Sequence, residues 1–189
     1  SVFASSGGDG LNCHEMCVAL ASPDKFISPT RFHNSVHNAA SGYWGIATGS
    51  MATSSVLCAY DGSFAAGLLE AVAQAVVDGV PVLLLAYDTD YPEPLRSARP
   101  VPDTFGVALV LSPQRSARSL ARCTLHGDAC LTGDPADQLV DPVLEPLRRS
   151  IPAARSLPLL RAVATQQAGR VVLDYLDGLR LALDIAPCA

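Results

Sequence analysis

The chain has little charge: Asp, Glu, Lys and Arg make up 16% of its 189 residues, against 49% apolar residues. So thin a charged coat points to a surface partly covered by another subunit, and oligomerisation is the expectation. There is no basic stripe. The 13 Lys and Arg are scattered, through Arg115, Arg118, Arg122, Arg148, Arg149 and Arg155, in a chain of net charge −5, so nucleic acid is not an expected partner. Arg148 and Arg149 read instead as favourable charges near a helix C-terminus. There is no long apolar run either. The longest, Val80 to Ala86, is far shorter than the roughly 20 residues of a membrane span and reads as a buried strand. The first residues carry neither a basic region nor a long apolar stretch, so no signal peptide is read there and the chain is expected to be soluble and cytoplasmic. They also lack a start methionine, which suggests a chain that begins partway through its domain. Ser5-Ser6-Gly7-Gly8-Asp9-Gly10 is glycine-rich but matches neither GxGxxG nor GxxxxGK[ST], which gives no support for a nucleotide, and no cofactor is expected.

At this length one domain with a substantial core is expected. The six cysteines (13, 17, 58, 123, 130 and 188) sit in apolar patterns in a chain too large to need stapling, and they read as reduced thiols. Cys13 and Cys17, with His14, and the Cys123/His126/Cys130 cluster make a zinc site conceivable. The paired CxxC motifs of such sites are missing, and no metal is expected.

The periodicities imply an α/β chain. Val2-Phe3-Ala4 reads as a strand, Leu11 to Ala21 as a helix, Ser28-Pro29 as the opening of a helix within 26–38, and Met51 to Ala59 as a strand running into a tight turn. Gly62 to Val77 has the spacing of a mostly buried helix, through Phe64, Leu68, Leu69, Val72 and Val76. Gly79 ends it, and a strand over Val82 to Ala86 completes a strand-helix-strand unit with parallel pairing. A proline-rich loop follows over 88–103, then strands over 105–111 and 119–125. Gln138 to Arg149 reads as a helix broken by Pro142 and Pro146, and Leu157 to Thr165 as a shorter helix. Arg170 to Leu176 and Leu179 to Ile185, joined by Asp177-Gly178, read as a β-hairpin.

Three segments together carry a family resemblance. They are Ile27-Ser28-Pro29 through Asn38-Ala39-Ala40-Ser41-Gly42, then Ile46-Ala47-Thr48-Gly49, then Cys58-Ala59-Tyr60-Asp61-Gly62-Ser63-Phe64-Ala65-Ala66-Gly67. They resemble the β-ketoacyl synthases, in which a Ser-Pro helix leads to a Pro-Asn-x-Ala-x-Gly segment and to the nucleophile turn Ala-Cys-x-x-Gly-x-x-x-x-Gly. The likeness extends through Val82 to Tyr87 and Phe105 to Leu111. It is strongest to the short synthase-like proteins of aryl polyene and related pigment pathways, often described as chain length factors. It implies a thiolase-like half-fold: a mixed, mostly parallel sheet packed by helices, with a C-terminal β-hairpin. On the same likeness, residues 1–125 are expected to form the synthase-like N-terminal domain and 126–189 an extension packed on it.

The resemblance also implies a chemistry. A cysteine at the N-terminus of a buried helix accepts an acyl group from a carrier protein, and two basic side chains, usually histidines, promote decarboxylation of a malonyl unit. Cys58 is the cysteine nearest that position. Matching Gly62 and Gly67 to the family glycines, however, puts Ala59 there, and one residue at a helix start turns a side chain by about 100°. Cys58 is thus either the acyl acceptor or a small buried thiol. His126-Gly127 followed by Gly133-Asp134-Pro135 has the spacing of the family's HGxxxxxGDP motif, 68 positions after Cys58, which makes His126 a second candidate. His33 and His37 form an HxxxH pair that would share one helix face, without the intervening glutamate of a zinc protease; His37 is expected to serve structure or an interface.

Three functions follow. The first is a ketosynthase-like subunit, without independent condensing activity, paired with a ketosynthase and served by an acyl carrier protein. The second is an acyltransferase using Cys58, with His126 or with residues donated by a partner. The third is a structural homodimer.

Overall fold

The computed structural model describes residues 1–126 and 131–188. Its strands are β1 (Val2–Ala4), β2 (Ser55–Leu57), β3 (Val82–Asp88), β4 (Phe105–Leu111), β5 (Ala121–Thr124), β6 (Leu131–Thr132), β7 (Gly169–Asp174) and β8 (Arg180–Pro187). Its helices are α1 (Gly10–Ala21), α2 (Pro29–Asn34), α3 (Ala39–Thr48), α4 (Ser63–Val77), α5 (Leu95–Ala98), α6 (Leu144–Ser150) and α7 (Leu157–Ala164). Short 3₁₀ turns over Tyr60–Gly62 and Pro152–Ser156 lead into α4 and α7.

Two sheets share one core. In the first, of order β2-β1-β3-β4, β1 runs parallel to both β2 and β3, and β4 returns antiparallel to β3. In the second, β8 pairs with β7 along one edge and with β5 and β6 along the other, all antiparallel. The β7–β8 hairpin turns through Gly178, whose φ of +74° is left-handed backbone that glycine adopts without strain.

Helix α4 organises the first sheet. Phe64, Leu68, Ala71 and Ala75 recur at helical spacing and are all buried, and full burial of Phe64 or Leu68 contributes about 1.5–3 kcal/mol. They share a cluster with Val2 and Ala4 of β1 and with Val82, Leu84 and Ala86 of β3. That cluster also takes in Val171, Leu173, Leu181, Leu183 and Ile185 of the second sheet. The core thus draws on residues from both sides of position 125. The alternation on β3, where Val82, Leu84, Ala86 and Asp88 are buried, shows which face meets the helix.

Close approach depends on two glycines. A Cβ at Gly67 would lie 2.7 Å from Ala4 Cβ and 3.0 Å from Leu84 Cδ1, and one at Gly62 would collide with the Tyr175 carbonyl. The far end of α4 is open, with Val76 and Val77 exposed. Helices α1 to α3 also keep large apolar side chains in solvent, among them Leu11, Phe32 and Ile46.

Several elements differ from the sequence reading. β2 and β3 do not pair: β1, the shortest fully buried strand, takes the place between them. The 26–38 segment holds only the six residues of α2, and α3 forms separately after Asn38. The helix read over 138–149 begins at Leu144, where Asp141 Oδ1 accepts from the Val143 and Leu144 amides and Pro146 fits in the first turn. Arg148 does more than face a helix end. It is 6% exposed and donates to Glu145 and to Asp174 of β7, tying α6 to the second sheet. That guanidinium, with the Leu139 amide and Arg149, holds the Glu145 carboxyl well below the usual range.

Two predictions follow from this packing. Gly62→Ala costs about 1–3 kcal/mol of stability because backbone must shift, whereas Gly42→Ala, with open space at the Cβ position inside α3, gains about 0.5–1 kcal/mol; urea denaturation of the two variants checks the contrast. Arg148→Ala, which leaves two carboxylates facing one another, costs about 3 kcal/mol at neutral pH. Since the Glu145 value is depressed on folding, the stability it adds is present above about pH 4.5, its ordinary value, and is lost as pH falls toward its folded value. Thermal melts across that range should show wild type losing ground to the variant as pH drops.

Candidate functional site

Parallel strands bring their carboxyl ends to one side, and here β1, β2 and β3 deliver Ser5-Ser6, Cys58-Ala59 and Asp88 to a common edge beside the start of α4. Hydrogen bonds lock the three ends together. The Ser5 amide donates to the Leu57 carbonyl at 3.2 Å, the Cys58 thiol to the Ser6 carbonyl at 3.2 Å, and the Ser6 amide to Asp88 Oδ1 at 2.8 Å. His37 Nε2 meets the Leu57 carbonyl at 3.2 Å from outside, with the ring nitrogen donating.

Asp88 is the anchor of this edge. It is 2% exposed, and its second oxygen accepts from the Ala153 amide at 2.7 Å, joining the first sheet to the 3₁₀ turn that precedes α7. Burial pushes its carboxyl above the usual value, and this outweighs the amides of Ser6 and Ala153 and the charge of Arg99, which pull it down.

The turn from β2 into α4 presents Tyr60. Its backbone is left-handed, φ +50°, a conformation a bulky residue adopts only when its surroundings impose it. Ser63 imposes it here: Ser63 Oγ donates to the Tyr60 carbonyl at 2.7 Å and accepts the Ala59 amide at 3.0 Å, while the Gly62 amide donates to the Ala59 carbonyl. The Tyr60 ring lies under the Arg99 guanidinium, 3.5 Å from its centroid. Arg99 also pairs with Asp61 Oδ1 at 2.9 Å, and Arg155 with Asp61 Oδ2 at 3.0 Å. The tip of the turn therefore carries a phenol and a carboxylate, each held by arginine.

Cys58 stands two residues before that tip and five before the first residue of α4. It is solvent-exposed, not buried, and its thiol points back to Ser6. Ala59 is the residue ahead of the tip. His126 belongs to the other sheet, where Nε2 bonds Asp184 Oδ2 of β8 at 2.8 Å; it shares no hydrogen bond with Cys58. Gly127 of the HGxxxxxGDP spacing and Cys130 lie outside the described residues. His33 and His37 do not share a helix face, because α2 ends at Asn34 and His37 lies beyond it; the His33 ring packs edge-on against Tyr43. Cys13 and Cys17 are on α1, far along the chain from Cys123 on β5, whose thiol burial pushes up to about 11. Among the described residues no three His, Cys, Asp or Glu side chains are placed to hold a metal.

A family model described as the N-terminal domain of β-ketoacyl synthase matches residues 1–168. The chain belongs to this synthase family. No curated protein is a significant match. Among solved structures, a chain from the ketosynthase of Xenorhabdus doucetiae in complex with its chain length factor superposes with a TM-score of 0.68 at 22% identity, covering 97% of this chain and 68% of that one. A chain of the ishigamide ketosynthase/chain length factor gives 0.67 at 12% identity, covering 100% and 72%. The synthase domain thus has the thiolase-like half-fold that its motifs implied, with antiparallel strands at its C-terminal end. No helix among its described residues is long and apolar enough to cross a membrane.

Sequence reading missed Tyr60, Asp61, Asp88, Arg99 and Arg155. A carboxylate closing the apolar run Val82 to Tyr87 was a usable signal for Asp88. The Asp61–Arg155 pair spans 94 positions, and nothing local announces it.

Asp88→Asn should cost about 1–3 kcal/mol, because an amide offers one acceptor to two backbone N–H groups. The folded Asp88 value is raised, so its titration favours folding most below the ordinary 3.8 and that advantage is lost as pH rises through the folded value. The stability gap between wild type and D88N, measured by denaturation at several pH values, should narrow across this window and stay constant above it.

Proposed function

We propose that the chain is a ketosynthase-like subunit that pairs with a ketosynthase in fatty-acid or polyketide-type biosynthesis, of the aryl polyene or related pigment kind, and does not condense acyl units on its own. One observation carries the reading. At the turn between β2 and α4 the family's nucleophile position falls on Ala59, and the exposed tip beside it is Tyr60, fixed by Ser63 and stacked under Arg99. Neither a methyl group nor a phenol presents a thiolate, and the neighbouring Asp61 carboxylate is already paired with two guanidiniums. Membership of the synthase family and a fold shared with chains of ketosynthase/chain length factor complexes support the pairing. The apolar side chains exposed on α1 to α3 are surface of the kind a partner subunit covers. On this reading the subunit works in the cytoplasm, and the acyl groups it meets arrive on an acyl carrier protein bound to the partner.

Co-expression with a ketosynthase of the same pathway should yield a one-to-one complex by size exclusion with light scattering. Incubation of the chain alone with acylated carrier protein should leave no thioester on Cys58 by peptide mass spectrometry. An acyl group found on Cys58, or a stable homodimer that ignores the ketosynthase, would overturn the proposal.

A further inference from the structure

Cys13 and Cys17 lie four residues apart in the middle of α1, so they face the same way with one turn between them. Both thiols are exposed and free. Glu15 and Asn12 face α2, through an ion pair with Arg31 and a hydrogen bond to its carbonyl. The helix is therefore fastened from positions other than the thiol pair.

Spacing decides what two such thiols can share. Side chains at this separation have Cβ atoms about 5–6 Å apart, whereas a disulfide needs about 3.5–4.5 Å, so direct oxidation would have to deform the helix. A metal–thiolate bond of about 2.3 Å on either side of one ion separates two sulfurs by up to about 4.6 Å, a distance the pair spans with α1 intact. Two donors without a third exclude the tetrahedral set that zinc prefers. A soft monovalent ion content with two thiolates, such as Cu(I), fits.

We propose that Cys13 and Cys17 form a two-thiolate site on α1 for a soft, two-coordinate cation of the Cu(I) class. Binding forms two metal–sulfur bonds and releases two thiol protons, giving a bis-thiolate complex with one negative charge; no electron is transferred. The site is separate from the turn at Tyr60 and belongs to the chain free of the partner subunit proposed above, whose docking over α1 would cover it.

The test is anaerobic titration of the full chain with Cu(I) against a chromophoric Cu(I) chelator. Wild type and Cys58→Ser should hold one equivalent with the same affinity, and Cys13→Ser and Cys17→Ser should each weaken it at least tenfold. Equal binding by wild type and both single variants, or loss of binding in Cys58→Ser alone, would overturn the site. In unsubstituted protein, one equivalent of phenylarsine oxide, which chelates paired thiols, should protect Cys13 and Cys17 from alkylation while leaving Cys58 and Cys188 reactive, as read by peptide mass spectrometry. Alkylation of Cys13 and Cys17 at undiminished rate would equally contradict it.

Discussion

Helix α4 reaches the parallel strands β1 and β3 only because position 67 has no side chain. With Ala4 and Leu84 where a Cβ would lie, any larger residue would lift the helix off the sheet. Everything else in the first sheet follows from that contact. Phe64 and Leu68 are buried because the helix is close, and β1 is buried along its length because helix and neighbouring strands enclose it. Gly62 brings the start of α4 against Tyr175, so the helix touches both sheets. The packing is an interdigitation of small and large residues, in which one added methyl group is felt.

The same contact fixes the chemistry of the edge. The start of α4 is held against the carboxyl ends of three parallel strands, where Asp88 bonds the Ser6 and Ala153 amides and Asp61 gathers Arg99 and Arg155. Arg155 precedes α7 and Arg99 follows α5, so parts of the chain distant in sequence converge on the turn at Tyr60. A turn with left-handed backbone, a buried serine bracing it and an aromatic ring capped by arginine is rigid and already satisfied.

Much of the architecture was legible in the residues. Phe105–Leu111 is a strand over the bounds its apolar run implies, α4 begins one residue after the Gly62 start that was read, and the Asp177-Gly178 signature does lie in the hairpin turn. The segments with weak or composite patterns were less legible. Residues 26–38 hold a short helix and a break because Asn34, Ser35 and Asn38 offer the backbone no long apolar face, and Pro142 and Pro146 delay α6 until Leu144. The order of the first sheet could not come from local pattern, since β1 and β2 are three residues each. At the edge of the sheet, the motif drew attention to Cys58 and Ala59, whereas the tip of the turn is Tyr60. Placing that tip requires the 3₁₀ turn over Tyr60–Gly62, which shifts where the helix starts. The role of Arg148 was hidden for a similar reason: its partner Asp174 lies 26 positions away.

The most direct test of this account is native-state hydrogen exchange. If α4 is clamped against β1 and β3, the amides of Leu68, Ala71 and Ala75 should exchange only through global unfolding, at the same free energy as Leu84 and Leu183 in the two sheets. Exchange of α4 by local opening, well ahead of those strands, would contradict it.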